Sequence, residues 1–527
     1  MPKIWAVGLT AGLWLAPRPA AAQVIPAQDS MQTQVVQQQH QFDIFGGTTT
    51  DNDTLLFHSF EQFDLERGDR ADFHVAPGVE AVFSRIVSGS PSSINGALGL
   101  GGSSASLYLI NPAGVLFGSD ASLNLAGDFT VLTAHRMDFT QGYFGLRGHP
   151  TDVQGNVLRL RFEPASAGTI INQGNLSVGI HRSLMLLGHS VVNQGSLSGG
   201  AVTMAAVGRH RDVELADGLR FAPAPIGQTL PPWLTVPGTE HAAAIEIGED
   251  GTLQLTGSQL SDLPTGTALL GGQLTAVGAP GRIQILGDHV ATAGAALSTT
   301  GGGQILIGGD YRGSGTLPTA QSTFIDAAST IVADAVPGDG GEQAGGQVVI
   351  WSEGNTQFRG SISAQGDTAG GRIEVSGKEQ LYFGGRVDVR SQGTPGTVLL
   401  DPENIEIRAG RELGGNASDP YVLYEDTLET SITGNVNLVL QADNDITIAP
   451  LSDGALTFAQ GAGRISFLAD GDGDGQGSFT MAAADRLRAP GREISITATD
   501  ITAGSLDTGI FSVINNREDA GEIRLTA

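Results

Sequence analysis

Short phrases in which apolar and polar residues alternate after a glycine recur along much of the chain. A Gly-x-apolar-x-apolar phrase begins, at intervals of 22, 43, 25 and 25 residues, at Gly281, Gly303, Gly346, Gly371 and Gly396. Looser versions follow at Gly463 and Gly491. Alternation of this kind is typical of half-buried β-strands, and the interval of 43 residues is close to two units. The pattern predicts an all-β repeat protein.

A second repeat has a similar length. Residues 170–177 recur at 191–198, a shift of 21 residues. One such unit is too short to bury its own apolar face, but stacked units can, each adding a coil at a spacing of about 4.8 Å. Three short strands joined by turns fit this length. We therefore predict a right-handed parallel β-helix rather than a β-propeller, whose blades repeat every 40 to 50 residues or so, or a Gly-rich β-sandwich.

Three stretches depart from this pattern. Residues 209–238 contain five prolines, which exclude a central strand and predict an excursion from the helix surface. Residues 48–76 are charged and rich in phenylalanine, and we predict that they form the N-terminal cap that a β-helix needs over its first coil. Residues 23–41 are polar and predict a flexible leader.

The first 22 residues have the composition of a secretory signal peptide. Lys3 precedes an apolar run over residues 4–16, and a cleavage site of the A-x-A type ends at Ala22. The alternative, a transmembrane anchor, needs about 20 apolar residues, which is more than this run provides.

Composition narrows the range of functions. The 527 residues include 76 Gly and no Cys, with 55 acidic and 28 basic side chains and a net charge of −27. We expect no binding to nucleic acid, which requires a basic face. Without cysteine there is no disulfide, thiolate metal site or cysteine nucleophile.

Two segments, 83–96 and 107–118, resemble the N-terminal secretion domain of filamentous-haemagglutinin-like exoproteins, the cargo of two-partner secretion. The family's second motif reads Asn-Pro-Asn-Gly-Ile, and here it is Asn111-Pro112-Ala113-Gly114-Val115. The first motif has Asn before Pro, and here Ser90 precedes Pro91. The resemblance implies that Asn111, Pro112, Gly114 and Pro91 belong to the secretion motif. By themselves, these residues also fit a turn that only closes one coil.

The resemblance also implies a route and a role. The chain would pass through the periplasm and an outer-membrane β-barrel transporter with POTRA domains, and would end up secreted or on the cell surface. There it would act as an adhesin or matrix-interaction protein with a cell-surface or glycan ligand. We predict a secretion domain with its cap at 42–240, a β-helix repeat body at 241–420, and further β-rich repeats at 421–527. The last of these repeats reads as incomplete.

One motif carries metal chemistry. Asp470, Asp472 and Asp474 alternate with glycines, as at the start of a calcium loop. Position twelve of that loop, where a glutamate normally binds the ion, is Met481. A solvated acidic turn and a weak calcium site both fit this spacing, and we predict no other cofactor.

We predict that the protein is not an enzyme. No G-x-S-x-G, H-E-x-x-H or P-loop motif occurs. His58, His74 and His135 are isolated, and we expect them to cap or pack. Two alternatives remain open. One is a secreted β-helical carbohydrate-active enzyme, and the other is a structural stalk of a longer adhesin. The enzyme would need a carboxylate pair, and the sequence places no pair among its scattered acids, Asp310, Glu353, Glu374, Asp388, Asp401 and Glu403.

Overall fold

The computed structural model describes residues 23–50, 52–150, 152–163, 168–208, 212–215, 219–221, 244–247, 253–256, 266–278, 280–335, 344–410, 422–432, 435–509 and 522–527. The predicted signal peptide, residues 1–22, lies outside the described residues, as does the basic cluster at 209–211.

The strands are numbered in chain order. The first group comprises β1 (Val24–Pro26), β2 (Thr33–Gln38), β3 (Gln41–Gly46), β4 (Thr48–Thr49), β5 (Leu55–Phe63), β6 (Arg70–Phe73), β7 (Ala81–Ile86), β8 (Ser92–Ile94), β9 (Ala97–Gly99), β10 (Ser106–Ile110), β11 (Gly114–Phe117), β12 (Ser122–Asn124), β13 (Phe129–Leu132), β14 (Arg136–Gln141), β15 (Tyr143–Gly145), β16 (Gln154–Arg161), β17 (Thr169–Asn172), β18 (Asn175–Ser177), β19 (Ser183–Gly188), β20 (Ser190–Asn193), β21 (Ser196–Gly199), β22 (Ala201–Ala206), β23 (Asp212–Glu214) and β24 (Arg220–Phe221).

The second group comprises β25 (Ala244–Ile247), β26 (Leu253–Thr256), β27 (Thr267–Leu270), β28 (Gln273–Ala276), β29 (Arg282–Leu286), β30 (His289–Thr292), β31 (Ala296–Thr299), β32 (Gln304–Ile307), β33 (Ser322–Ile325), β34 (Thr330–Val332), β35 (Gln347–Ser352), β36 (Asn355–Phe358), β37 (Ser361–Ser363), β38 (Arg372–Gly377), β39 (Gln380–Phe383), β40 (Arg386–Asp388) and β41 (Gly396–Leu400).

The last group comprises β42 (Ile405–Arg408), β43 (Leu423–Tyr424), β44 (Val436–Gln441), β45 (Ile446–Ile448), β46 (Ala455–Thr457), β47 (Arg464–Leu468), β48 (Ser478–Met481), β49 (Arg486–Arg488), β50 (Glu493–Thr497), β51 (Asp500–Thr502), β52 (Ser505–Asp507) and β53 (Ile523–Thr526). A 3₁₀ turn covers Tyr311–Gly313, and α1 covers Glu425–Ser431. Among the described residues, no helix has the length and apolar composition needed to cross a lipid bilayer.

Successive coils each add one strand to each of three sheets. In one coil, for example, β19 lies in the first sheet, β20 in the second and β21 in the third, and β22 returns to the first sheet in parallel with β19. The first sheet is continuous from β5 to β53. The other two break off at β39 and β40 and are replaced, after β41, by sheets built from β42 and β46 onward. The all-β parallel β-helix predicted from the sequence is confirmed.

The glycine-led phrases are the strands of the first sheet, in register. Their first apolar positions pair across neighbouring strands in one line, which runs through Ile283, Ile305, Val348, Ile373, Val398, Leu438, Ile465, Ile494 and Ile523. All of these except Ile523, in the last strand, are fully buried in one core that follows the whole solenoid. The alternation in the sequence is therefore the alternation between core and outer face.

Close packing between coils explains the glycine itself. A Cβ atom on Gly303 would overlap the carbonyl oxygen of Gly281 in the preceding coil. Gly346 stands in the same relation to Gly303, and Gly371 to Gly346. A side chain at this corner would push neighbouring coils apart and break the ladder between them.

The 43-residue interval is one enlarged coil, and its assignment to two units is wrong. β32 pairs directly with β35, with Ile305 opposite Val348. The additional length includes a loop, residues 308–321, that folds back over the outer face of the first sheet. There Tyr311 and Leu317 pack against the cluster around Trp351.

The N-terminal cap lies earlier than predicted. β1 and β4 pair with β5 in antiparallel fashion, and β2 and β3 form an antiparallel hairpin. β5 and β6 already pair in parallel with β7 and β9, so residues 48–76 contribute mostly to the first coil. The prediction that 23–41 is a flexible leader is also wrong. A cap strand is buried on one side only, and the few apolar residues here, such as Val24 and Met31, are enough to anchor it.

A second antiparallel sheet leaves the solenoid. β14, β15, β16, β23 and β24 form what we call the excursion sheet. The described part of the predicted excursion at 209–238 thus departs from the ladder, and it does so beside residues 136–161, which the sequence did not single out. Met137, Leu160 and Val213 on its inner face pack against Phe57 and Phe83 on the outer face of the first sheet.

Candidate functional site

The predicted secretion motif forms a buried turn between β10 and β11. Pro112 has no N–H group to continue the ladder, so the strand ends at Ile110 and the chain turns. The backbone N–H of Gly114 donates to the carbonyl oxygen of Asn111 at 3.0 Å. The side-chain oxygen of Asn111 also accepts from the N–H of Ala113 at 3.0 Å. Asparagine is suited to this position because its side chain bonds its own backbone two residues on.

Asn111 also joins the two predicted motifs. Its side-chain amide donates to the carbonyl oxygen of Ser90 at 3.0 Å and to the hydroxyl of Ser92 at 3.1 Å. Asn111 is fully buried and Ser92 nearly so, whereas Pro91, between the two acceptors, is exposed. The contact spans one coil, so the motif of one coil holds the turn of the next.

Gly114 is required by its conformation and its surroundings. Its φ of 115° lies in the region that favours glycine, and an added Cβ would lie 2.7 Å from the carbonyl oxygen of Thr169 in the following coil. A Cβ atom on Gly168, in the following coil, would overlap the carbonyl oxygen of Pro112. The structure thus places Asn111, Pro112 and Gly114 inside the solenoid, and leaves Pro91 as the member of the set that a partner could touch.

Sequence reasoning missed Arg85, which lies within the first motif segment. This side chain is only 2% exposed. Its guanidinium donates to Ser59 Oγ at 3.0 Å, to Asp29 Oδ2 at 2.9 Å, and to the carbonyl oxygens of Gly145 and Gly148 at 2.6 and 3.0 Å. A charged residue inside the apolar strand Ala81–Ile86 was the available signal, but the partners are 26 to 63 residues away.

Comparison with known proteins identifies this part of the molecule. Residues 22–229 match the family model of the TPS secretion domain. They form a two-partner secretion domain. The match begins at residue 22, so it includes the cap strands β1 and β2. It implies that the protein is exported and has a partner transporter in the outer membrane.

Two solved structures are similar to the chain. The crystal structure of the HMW1 secretion domain from Haemophilus influenzae has 16% identity and a TM-score of 0.42, covering 94% of this chain and 97% of that one. The crystal structure of a filamentous hemagglutinin secretion domain has 14% identity and a TM-score of 0.30, covering 71% of this chain and 99% of that one. No curated protein sequence matches the chain.

The outer face of the excursion sheet in the TPS domain carries both positively and negatively charged side chains. Arg136 and Arg161 both bond Asp138 through Nε, the second at 2.7 Å, and the ring of Tyr143 lies 3.8 Å from the Arg136 guanidinium carbon. A groove of about 720 Å³ beside them is also lined by Arg147, His135, Phe162, Glu163 and Asp212. Guanidinium, carboxylate and apolar groups thus line one open groove.

Two of the three histidines that the sequence predicted to cap or pack, His58 and His74, are held by packing or by a polar partner. The third, His135, lines the groove, and its Nδ1 accepts from the N–H of Glu163 at 3.2 Å. His58 is fully buried beneath the cap, and its Nδ1 lies 3.4 Å from Thr33 Oγ1. Burial lowers the pKa of His58 to about 4. His74 stacks on Phe45 and contacts the Asp43 carboxylate at 2.8 Å.

Beyond the TPS domain, the structure brings two of the scattered acids together below the loop at 308–321. Both oxygens of Glu374 accept from the backbone N–H of Arg312, at 2.9 and 3.2 Å. The Arg312 guanidinium donates to Gln441 at 2.8 Å, and Gln441 donates to Asp401 at 3.3 Å. Burial raises the pKa of Glu374 to about 7 and that of Asp401 to about 6.

These acids serve to hold the loop. Glu374 is 0% exposed and faces the Arg312 backbone, so it has no open side for a substrate. The raised pKa of both groups follows from their burial under the loop. Their geometry is that of a buried polar network, in which each polar group has a partner.

The three aspartates of the predicted calcium loop lie together. One side-chain oxygen from each of Asp470, Asp472 and Asp474 is within 4.8 Å of the others. Hard oxygen donors of this kind suit calcium. However, Asp470 accepts from the N–H of Gly475 at 3.0 Å, as an acidic turn without an ion also would. Calcium binding here stays a prediction.

Proposed function

We propose that the protein is a surface exoprotein whose TPS domain directs export through an outer-membrane β-barrel transporter with periplasmic POTRA domains. In this proposal the signal peptide at 1–22 first brings the chain into the periplasm. The observation that carries the proposal is the family match over residues 22–229. The bond between the two motifs through Asn111 supports it, because it gives the secretion motif a defined structure.

The architecture suits passage as an extended chain. Each coil pairs mainly with the coil before it, so folding can propagate from the cap as the chain emerges. Each new coil buries apolar residues such as Ile283 and Ile305, which makes return of that segment through the pore unfavourable. The chain has no cysteine, so no disulfide would have to be opened during passage.

At the cell surface we propose a role in adhesion or matrix interaction, with no catalytic activity. From β5 to β53 the parallel strands of the first sheet stack into a solenoid about 70 Å long at a strand spacing of about 4.8 Å, which offers a long outer surface for contact with a ligand. Mixed charge and the exposed ring of Tyr143 beside the groove of the excursion sheet are compatible with a glycan ligand.

The first experiment removes the partner gene. Deletion of the gene for the outer-membrane transporter should abolish the protein from the culture medium and the cell surface while it accumulates in the periplasm. Continued appearance of the protein outside the cell would overturn the proposal.

Two variants then separate recognition from folding. Pro91→Ala alters an exposed residue, so it should lower export without changing the stability of the purified protein. Ser92→Ala removes one partner of Asn111 inside the fold, and any loss of export should follow its loss of stability. Asn175→Ala, an exposed change on β18, is the control. Normal export of Pro91→Ala would show that the transporter does not read this residue.

Binding assays address the role at the surface. The purified protein should bind host or bacterial surfaces, or immobilised glycans, without releasing any product. Turnover of a polysaccharide would favour the enzyme, and absence of both binding and turnover would favour a stalk.

A further inference from the structure

Arg85 is a buried charge at the meeting point of three segments that are far apart in the sequence. It lies on the outer face of β7, directly opposite Ser59 of β5 in the parallel ladder. Ser59 accepts from its Nε. Because the guanidinium is fully charged and removed from water, it is stable there only when its donors have partners.

The N-terminal cap supplies the charge that balances it. Asp29 lies between β1 and β2 and accepts from Nη2 of Arg85 at 2.9 Å. The side chain of Asp29 is 28% exposed and that of Arg85 2% exposed, so the pair sits at the edge of the buried region. Met31, next to this position, is fully buried beside the same outer face.

The excursion sheet closes the other side. Gly145, at the end of β15, and Gly148 both accept from Nη1 through their carbonyl oxygens. The ring of Phe144 lies 5.0 Å from the guanidinium carbon and packs on Phe57 of the first coil at 4.8 Å between ring centres. Before the excursion sheet docks, this face of Arg85 would be open to water.

We propose that Arg85 couples closure of the N-terminal cap to docking of the excursion sheet, so that the two close as one cooperative unit. Asp29 holds the guanidinium in the position that Gly145 and Gly148 require, and these carbonyls in turn seal the ion pair from water. Coupling between two sites is reciprocal, so a change on either side must be felt on the other.

One consequence depends on the proposed function. If the chain emerges from its N-terminus, then Asp29, Ser59 and Arg85 appear long before residues 145–148. The cap would reach its full stability only after the excursion sheet has emerged. From then on the folded N-terminal end of the solenoid would resist unfolding.

Hydrogen exchange on the purified full-length mature protein tests the coupling independently of export. In Asp29→Asn, amides of β14 and β16, which Asp29 does not touch, should exchange about tenfold faster, the effect expected when the acceptor of a charged hydrogen bond loses its charge. Asp53→Asn removes the same charge from an exposed turn near the first coil and should leave β14 and β16 unchanged. Faster exchange confined to the cap in Asp29→Asn would overturn the proposal.

The reverse experiment guards against a variant that fails to fold. Phe144→Leu weakens the excursion side and should speed exchange in β2 and β3 by a similar factor. In an Arg85→Met background, the effects of Asp29→Asn and Phe144→Leu should become independent of each other. Equal and additive effects with and without Arg85 would show that the two segments are joined by packing alone. Normal export of all these variants would contradict the proposed consequence for secretion. It would not bear on the coupling, which hydrogen exchange measures separately.

Discussion

Replacing Glu374 by glutamine should roughly halve the pH dependence of the stability of the loop at 308–321. Burial raises the pKa of Glu374 from its ordinary value of 4.5 to about 7. Below pH 4.5 the group is protonated in both the folded and the opened state. The contribution of the raised pKa to the stability of the closed loop is then fully present. As the pH rises through 7 that effect is lost, because the folded state must then hold a buried carboxylate.

The magnitude follows from the size of the rise. Each tenfold change in protonation equilibrium corresponds to about 1.4 kcal/mol, so Glu374 by itself should lower the opening free energy of the loop by about 3 kcal/mol between pH 4 and pH 8. The glutamine side chain is neutral at every pH, and its oxygen can still accept from the N–H of Arg312. In Glu374→Gln, this part of the pH dependence should therefore disappear, leaving a part of similar size from Asp401, whose pKa burial raises from 3.8 to about 6.

Hydrogen exchange of the Arg312 amide measures this directly, because that N–H is bonded to Glu374. After correction for the intrinsic effect of pH on exchange, protection in the original protein should decrease towards pH 8. In Glu374→Gln the logarithm of the protection factor should decrease only about half as much, because Asp401 remains. Glu379→Gln, an exposed change on the neighbouring turn, is the control and should behave like the original protein. The reasoning is refuted if Glu374→Gln keeps the full pH dependence, or if protection in the original protein increases with pH.

Three further changes test the secretion motif and the acidic turn. Asn111→Ala leaves the carbonyl oxygen of Ser90 and the hydroxyl of Ser92 without their buried donor, so chemical denaturation should show a loss of about 1–3 kcal/mol from the stability of the TPS domain. In Gly114→Ala the alanine must adopt a strained φ, and its Cβ must approach Thr169. The same measurement should show a loss of about 1–3 kcal/mol in the stability of the TPS domain, and unchanged stability would argue against the turn described here. Calorimetric titration with calcium should show weak binding that Asp472→Asn abolishes. If the original protein gives no heat of binding, the predicted calcium site is ruled out.

The ladder is the part of the fold that the sequence predicted best. A β-helix repeats one local arrangement, so the same requirement recurs at each coil and appears as a period. Gly303, Gly346 and Gly371 recur because each packs against the carbonyl of the glycine below it. The prediction from the repeat period was wrong between β32 and β35, where a loop is inserted. An insertion changes the spacing in the sequence without changing which strands pair.

For the candidate site, the sequence predicted which residues take part but not the contacts between them. The resemblance selected Asn111 and Pro91, but the bond from Asn111 to the Ser90 carbonyl, which joins the two motifs, depends on the stacking of one coil on the next. The separation of 21 residues is close to the length of one coil and could have indicated the contact. Whether these residues are read by a transporter is a separate question, which the export assays address.

By itself, the sequence determined that this chain would stack β-coils, since alternation and corner glycines are local requirements that every coil must satisfy. It did not determine where the stack is closed or what lies against its side. Those features depend on pairs such as Arg85 with Asp29 and Arg312 with Glu374, which are 56 and 62 residues apart and belong to no repeat. A buried charge places no constraint on where along the chain its partner lies, so only the tertiary structure could decide which segments cover the solenoid.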